Sequence, residues 1–232
     1  AASDAWITKE EWAAVADATV VVADGDDIVM FFDGSKSRDA TALVGCRVSD
    51  GHVFEIGVWE PNPRDPKSTV PFDEVDGVVA EAFDTWNVVA FFADVREFES
   101  YVHTSWPEKY RDQLVLHAVP TGNNPGPIAW DMRSHTMEFT RAAETCREDI
   151  HGLRFTHDGS AVTARHVGNL KEAVNRWGTS VRKESPGSPN KIDAGVCVIG
   201  ARMVRARLLA SKEWRERDKK TTKRPGRVRG WQ

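Results

Sequence analysis

The sequence predicts an α/β fold in which a mixed β-sheet is flanked by helices on both faces. Two continuous apolar runs, at residues 28–32 and 87–92, are typical of strands that are buried on both faces. Three strand-like segments joined by short turns come first, and segments with helical spacing then alternate with further strands. Hairpins followed by strand–helix–strand units combine antiparallel and parallel neighbours, which gives a mixed sheet.

The first half of the chain begins with a predicted short helix at residues 6–18. Thr8 is in the N-cap position, and Glu11 three residues later completes a capping-box pattern. The apolar strand at 28–32 ends at a turn signal, Asp33-Gly34-Ser35. The other elements of this half are strands at 40–48 and 53–59, a proline-rich loop at 60–71, a helix at 72–86 and a strand at 87–92.

The second half is predicted to be mainly helical. Its elements are a helix at 96–110, a short strand at 114–119, a loop at 121–127, a long helix at 128–149, a hairpin at 153–167, a polar loop at 182–191 and an apolar helix at 193–209. A three-stranded meander followed by helix, strand, helix, strand and further helices is the order of a ribonuclease-H-like domain. We therefore predict a ribonuclease-H-like mixed β-sheet.

The composition is that of a soluble, globular chain. It has 232 residues, of which 41% are hydrophobic and 28% charged. No apolar run approaches the roughly 18 residues of a membrane span, and the first residues do not have the charged and apolar pattern expected of a secretory leader. Cys46, Cys146 and Cys197 lie far apart, which argues against a disulfide framework or a zinc module and suits a reducing compartment. Because the first residue is Ala, we expect a fragment of a longer protein.

The charge is distributed unevenly along the chain. The formal net charge is −4, but residues 201–232 hold 12 Lys and Arg against three acidic residues. A basic tail on an acidic body indicates a polyanionic partner such as DNA, although a solvated terminus is the alternative interpretation. An acidic body that approaches DNA needs metal ions or local basic patches to offset repulsion.

Three carboxylates are placed where they can share a site. Asp33 and Asp94 follow the two most apolar strands, and α/β sheets form their sites at the carboxyl ends of strands. Asp193 begins a helix after a loop and can lean back toward the same edge. Converging carboxylates repel one another unless a cation is present, and Mg²⁺ and Mn²⁺ prefer oxygen ligands. Two such ions can clamp the attacking and leaving oxygens of a phosphodiester, and Asp39 is a further candidate ligand.

A purely structural interpretation exists for each of these residues. An Asp before Gly is commonly a turn residue, and an Asp that begins a helix is commonly an N-cap. The metal site is favoured by the combination, since each of two very apolar strands ends in an Asp at the edge where sites form.

Three sequence blocks carry a resemblance to a known family. They are FFDGSKSRDATALVGC, FFADVREFESYV and RHVGNLKEAVNRWGTSVRKESPGSPNKIDAGVCVIGA. In this order they resemble the C-terminal nuclease domain of terminase large subunits, particularly those of tailed phages of actinobacteria. The resemblance covers the chain from about residue 27 to 210. It implies a ribonuclease-H-like fold, cleavage of concatemeric double-stranded DNA during packaging, and an acidic, metal-binding catalytic triad at Asp33, Asp94 and Asp193.

The resemblance also implies partners and a domain division. The partners are double-stranded DNA, an ATPase motor domain, a small terminase subunit and the portal or procapsid, in the cytoplasm of the host and without a membrane. We expect residues 1–26 to be a linker or leading helix from a removed ATPase domain, 27–211 the nuclease domain and 212–232 a basic, flexible tail. We expect no ATPase activity from this fragment, since no G-x-x-x-x-G-K-[ST] motif occurs. We also expect the isolated domain to be a monomer.

Five further residues are candidates for binding DNA phosphates. Lysine ammonium groups stabilise developing phosphate charge, and a buried structural role is the alternative for the histidine. The candidates are His166, Arg176, Arg182, Lys183 and Lys191. No residue has the pattern of a base-reading element, so cleavage is expected to be nearly independent of sequence.

Two other functions remain open from the sequence. A Holliday-junction resolvase or a transposase-type enzyme on the same fold would share the carboxylates and would prefer branched DNA. A non-catalytic module that binds DNA or the procapsid would act through the basic tail and would need no metal.

Overall fold

The computed structural model describes residues 4–35, 39–65 and 67–222. Its main sheet has four strands in the order β3–β2–β1–β4. The strands are β1 at Asp27–Asp33, β2 at Thr41–Arg47, β3 at Val53–Trp59 and β4 at Asn87–Ala93. β1 is antiparallel to β2 and parallel to β4, and β2 is antiparallel to β3. The mixed sheet is therefore as predicted, and its two apolar strands, β1 and β4, are parallel neighbours.

Helices cover both faces of the sheet. They are α1 at Lys9–Ala14, α2 at Phe72–Thr85, α3 at Trp106–Tyr110, α4 at Thr136–His151, α5 at Ala161–Gly168, α6 at Asp193–Ala210 and α7 at Lys212–Thr222. Along β1, Val29 and Phe31 pack with α4, α5 and α6, whereas Met30 and Phe32 pack with α2 and α3. Both faces of β1 are buried, which explains its unbroken apolar sequence.

The region beyond β4 differs from the prediction. The expected strand at 114–119 makes a single parallel bridge, between Leu116 and Ala90, and a second bridge joins Ala129 to Ala93. The expected helix at 128–149 begins only at α4, because the Trp130 N–H donates to the Ala93 carbonyl at 2.9 Å. The prolines between these pieces lack N–H donors, so this edge of the sheet is built from short segments.

Three other elements also correct the sequence-based expectations. The hairpin predicted at 153–167 is wrong, because α5 begins there after Ser160, whose hydroxyl accepts from the Thr163 N–H at 3.4 Å. A separate hairpin, β5 at Lys171–Asn175 and β6 at Gly178–Arg182, was not predicted. The predicted helix at 96–110 consists of a π-helical segment, Tyr101–Ser105, followed by α3.

Helices are present in the described parts of both the predicted linker and the predicted tail. The capping box of α1 is present, with Thr8 and Glu11 bonded reciprocally. Trp6 and Trp12 are buried in the main core, so this part of the predicted linker packs as part of the domain. The described part of the predicted tail is helix α7, whose Arg217 makes two hydrogen bonds of 3.0 Å to Asp27 at the start of β1. Residues 223–232 lie outside the described residues.

The described chain shows neither disulfides nor a membrane span. Cys46, Cys146 and Cys197 are buried free thiols. Among residues 4–35, 39–65 and 67–222, no helix combines the length and the apolar character that crossing a membrane requires.

Candidate metal centre

Asp33 and Asp94 lie beside each other at one edge of the sheet. The register pairs Phe32 with Ala93, and the Asp94 N–H donates to the Phe32 carbonyl at 2.9 Å. Side chains alternate between faces along a strand, so Asp33 lies on the same face as Phe31, which is the face covered by α6. The parallel pairing of β1 with β4 therefore brings two carboxylates to the first turn of α6.

Asp193 is the first residue of α6 and belongs to the same edge. Its carboxylate accepts a hydrogen bond of 3.3 Å from the Ala40 N–H, just before β2. Asp33, Asp39, Asp94 and Asp193 all line one cavity of about 520 Å³. The structure thus places the three predicted triad carboxylates, together with the additional candidate Asp39, around a common space.

Three of the four aspartate carboxylates in this cavity are in an environment that disfavours their charged form. Burial raises the pKa of Asp33 well above its usual value, and the charges of Asp193 and Asp94 raise it further. Burial and the charge of Asp39 raise the pKa of Asp193 to about 6. Burial also raises the pKa of Asp94, although its oxygen accepts from the Met132 N–H at 3.1 Å. Added positive charge in the cavity would relieve this repulsion.

Asp39 differs from the other three because lysines hold it. Burial alone would raise its pKa, but the hydrogen bond and charge of Lys183, followed by those of Lys191, lower it below its usual value. Lys183 contacts the Asp39 carboxylate directly, and the Lys191 ammonium lies 3.5 Å from the same oxygen. Two of the predicted phosphate-binding lysines therefore lie at the rim of the carboxylate cavity.

Comparison with known proteins connects this architecture to phages. No protein-family model matches the sequence. Over 227 residues the chain is 39% identical to the Gene 13 protein of Mycobacterium phage L5 and also to that of Mycobacterium phage D29. Each match takes in 93% of this chain and 37% of the relative, so the chain spans little more than a third of their length.

A solved structure establishes the fold. The large terminase of bacteriophage HK97 superposes with a TM-score of 0.61 at 15% sequence identity, over 86% of this chain and 43% of that one. The chain has a large-terminase fold. At the level of the fold, this confirms the predicted ribonuclease-H-like class and the resemblance that the three sequence blocks indicate.

The other predicted phosphate-binding residues lie elsewhere in the large-terminase fold. His166 is fully buried, with its ring bonded to Glu60 and to the Ala194 N–H, so it does not offer a surface contact to DNA. Arg182 donates to three backbone carbonyls. Arg176 stacks on Trp177 at the tip of the β5–β6 hairpin, 4.4 Å from the ring centroid. None of these three lines the carboxylate cavity.

Residues that the sequence analysis did not select also line the cavity of this large-terminase fold. Arg96 and Arg133 lie on it, and Arg133 is held by Asp131 through hydrogen bonds of 2.9 and 3.1 Å. Glu97 lines it with a backbone φ of 65°, which is uncommon for a residue with a side chain. Arg133 was not selected because it was assigned to the interior of the predicted helix at 128–149. The only indication for Arg96 and Glu97 in the sequence is that they follow Asp94 closely.

The carboxylates share the cavity without being gathered around one point. In the described ranges, no group of three or more His, Cys, Asp or Glu side chains is arranged closely enough to hold a metal ion. The oxygen-only donor set and the raised pKa values of Asp33, Asp94 and Asp193 nevertheless fit a hard divalent cation. The residues of the cavity thus have the donor chemistry of such a centre.

Proposed function

We propose that this chain is a metal-dependent endonuclease domain that cleaves double-stranded DNA during the packaging of a tailed-phage genome. The observation that supports this most is the cavity shared by Asp33, Asp94 and Asp193. Their mutual repulsion is costly for a domain without a cation, and structural turns or helix caps would not need to share a cavity. The large-terminase fold agrees with this function.

Asp33, Asp94 and Asp193 would hold two Mg²⁺ or Mn²⁺ ions, with Asp39 as a fourth ligand. When bound, such ions lower the pKa of an attacking water and place positive charge beside the leaving 3′-oxygen. The proposal requires the carboxylates to draw together, and the Asp39 side chain is suited to this because two lysine side chains, Lys183 and Lys191, hold its carboxylate.

The lysines have a defined task in this proposal. Lys183 and Lys191 compensate the charge of Asp39 in the cation-free protein. With divalent cations bound beside Asp39, the ammonium groups of Lys183 and Lys191 would be placed to bind the phosphate of the DNA backbone as point charges. Contacts to the backbone carry no sequence information, so we expect nearly sequence-independent cleavage.

The wider assembly belongs to the same proposal. The chain spans little more than a third of the length of these relatives, and an ATPase motor domain is proposed for the remaining part of the whole protein. The small terminase subunit and the portal or procapsid are the other proposed partners, and the host cytoplasm is the proposed location. Positioning by these partners would supply the choice of cleavage site.

A plasmid-nicking assay tests the proposed activity. Supercoiled DNA is incubated with the domain in EDTA, Mg²⁺ or Mn²⁺, with Asp33→Asn and Asp193→Asn alongside. Asp50→Asn is the matched control, because Asp50 pairs with Arg47 outside the cavity. We expect cleavage that requires the metal, disappears in the two cavity variants and persists in the control. Titration calorimetry should show Mn²⁺ binding to the wild type and to the Asp50→Asn control, and loss of that binding in the two cavity variants.

The assay also separates the alternatives. Wild-type cleavage that survives both cavity substitutions would show that the site is wrong. A strong preference for a four-way junction over linear DNA would favour a resolvase. Binding of DNA without cleavage, and without any binding of Mn²⁺, would contradict the nuclease and favour a binding module.

A further inference from the structure

Helix α6 receives no side-chain cap from its N-cap residue. The N-cap residue is Ile192, which makes no side-chain hydrogen bond to the first turn. The first N–H groups of a helix need partners from outside the helix, and a buried end without them is unstable. Here the Ala194 N–H donates to Nδ1 of His166, 3.0 Å away, on the neighbouring helix α5. The cap of α6 therefore comes from a residue 28 positions earlier in the chain.

The ring of His166 is fixed on its other side as well. Because Nδ1 accepts a hydrogen bond, the ring proton is assigned to Nε2, which lies 2.8 Å from the Glu60 carboxylate. Arg165 in turn holds both oxygens of Glu60, at 2.7 and 2.9 Å. His166 is fully buried, so neither of its nitrogens exchanges these partners for bulk water.

The two helices meet closely at this point. A Cβ atom on Gly195 would lie 3.2 Å from the His166 carbonyl and 2.9 Å from a methyl group of Leu170, so a glycine permits the approach. Asp193 immediately precedes the capped Ala194, and its carboxylate receives the Ala40 N–H. The position of that carboxylate thus depends on where the first turn of α6 is held.

We propose that His166 is a positioning residue, which caps α6 from α5 and thereby fixes the carboxylate of Asp193 in the cavity. It does not touch substrate and acts only through Asp193. The proposal rests on the proposed function only where it treats Asp193 as a ligand of the metal. The placement of the carboxylate itself is testable without any metal.

Two substitutions divide the functions of the ring. His166→Asn keeps an acceptor near the position of Nδ1 and loses the bond to Glu60. His166→Gln keeps a donor near the position of Nε2 and loses the cap. His157→Gln is the matched control, because His157 is also a buried histidine with both ring nitrogens hydrogen-bonded. Its Nδ1 accepts from the Gly159 N–H, and its Nε2 lies 2.8 Å from the Trp12 carbonyl.

Amide hydrogen exchange measured by NMR reads out both bonds in the metal-free protein. In His166→Gln, the amides of Ala194 and Ala40 should exchange about tenfold faster relative to the core amide of Phe91. The Ala194 amide loses its hydrogen bond to Nδ1, and the Ala40 amide loses the fixed position of the Asp193 carboxylate that accepts from it. In His166→Asn both should stay within about threefold of wild type. His157→Gln should change neither ratio.

Specific results would overturn the proposal. One is fast exchange at Ala194 with unchanged protection at Ala40, which would mean that the cap does not position Asp193. Another is equal loss of protection in the Asn and Gln variants. If His166→Gln does not fold, Gly195→Ala provides the second test, because the added Cβ would lie 3.2 Å from the His166 carbonyl and would push the first turn of α6 away from α5 and its cap. Unchanged protection at both amides in that variant would then count against the proposal.

Binding of Mn²⁺ distinguishes this inference from the proposed function. We expect its affinity to fall in His166→Gln and to be retained in His166→Asn, with Asp193→Asn as the reference for loss. Wild-type protein that binds no Mn²⁺ would refute the metal centre, while the exchange measurements would still decide whether His166 positions Asp193.

Discussion

Replacing Asp193 by Asn should stabilise the metal-free protein at neutral pH. Burial and the neighbouring Asp39 raise the pKa of this carboxyl from the usual 3.8 to about 6 in the folded state. A difference of about two between the folded and unfolded pKa values corresponds to about 3 kcal/mol once the group is ionised. Asn has a similar size, retains an oxygen that can accept the Ala40 N–H and carries no charge.

The sign of the pH dependence follows from the raised pKa. The folded protein binds this proton more tightly than the unfolded chain, so stability falls as pH rises from about 4 to about 6. Below that window the carboxyl is neutral in both states and the substitution gains nothing. Above it the full cost is present, and Asp193→Asn removes it. The gain should therefore be about 3 kcal/mol at pH 7.5 and near zero at pH 4.

Urea unfolding in EDTA at the two pH values measures this difference. Asp50→Asn is the control with the opposite sign, because the hydrogen bond from Arg47 lowers the pKa of Asp50 and its removal should not stabilise the protein. A destabilised Asp193→Asn variant at pH 7.5, or an equal gain at both pH values, would refute the electrostatic reasoning. Added Mg²⁺ should stabilise the wild type and not the variant.

Three further predictions concern packing, capping and the basic tail. Gly200→Ala should lower the free energy of unfolding in urea by about 1–3 kcal/mol, because its Cβ would lie 2.6 Å from a ring carbon of Phe31. Gly77→Ala is the control and should not lower it, because the space beside Gly77 in α2 is open. Thr8→Ala should cost about 1 kcal/mol by losing the cap of α1, and rescue by Thr8→Ser would support that cause. Removing residues 212–232 should weaken DNA binding and flatten its salt dependence in fluorescence anisotropy titrations; an unchanged slope would contradict a role in phosphate binding.

The elements that the sequence predicted well are those whose pattern is local. β1 and β4 have unbroken apolar stretches because both of their faces are buried, so the sequence of each stretch is enough to predict a buried strand. Once these two strands are parallel neighbours, the shared edge of Asp33 and Asp94 follows from geometry alone. The capping box of α1 is likewise contained within four residues.

The features that sequence reasoning missed depend on distant contacts. The β5–β6 hairpin has no continuous apolar face, because it lies half-exposed on α4 and the N-terminal segment. The beginning of α5 was hidden by β-branched residues that also suit a strand. Lys183 meets Asp39 across 144 positions of sequence, and no local pattern carries that information.

The ion pair between Arg217 and Asp27 attaches helix α7 at the end of β1 that lies opposite the carboxylate cavity. Asp27 begins β1 and Asp33 ends it, so the attachment of α7 and the carboxylate cavity are about 20 Å apart along one strand. Substitutions that far apart, without shared partners, generally have additive energetic effects. Loss of helix α7 and loss of Lys183, which contacts Asp39, should therefore lower the proposed affinity for DNA by independent factors that multiply.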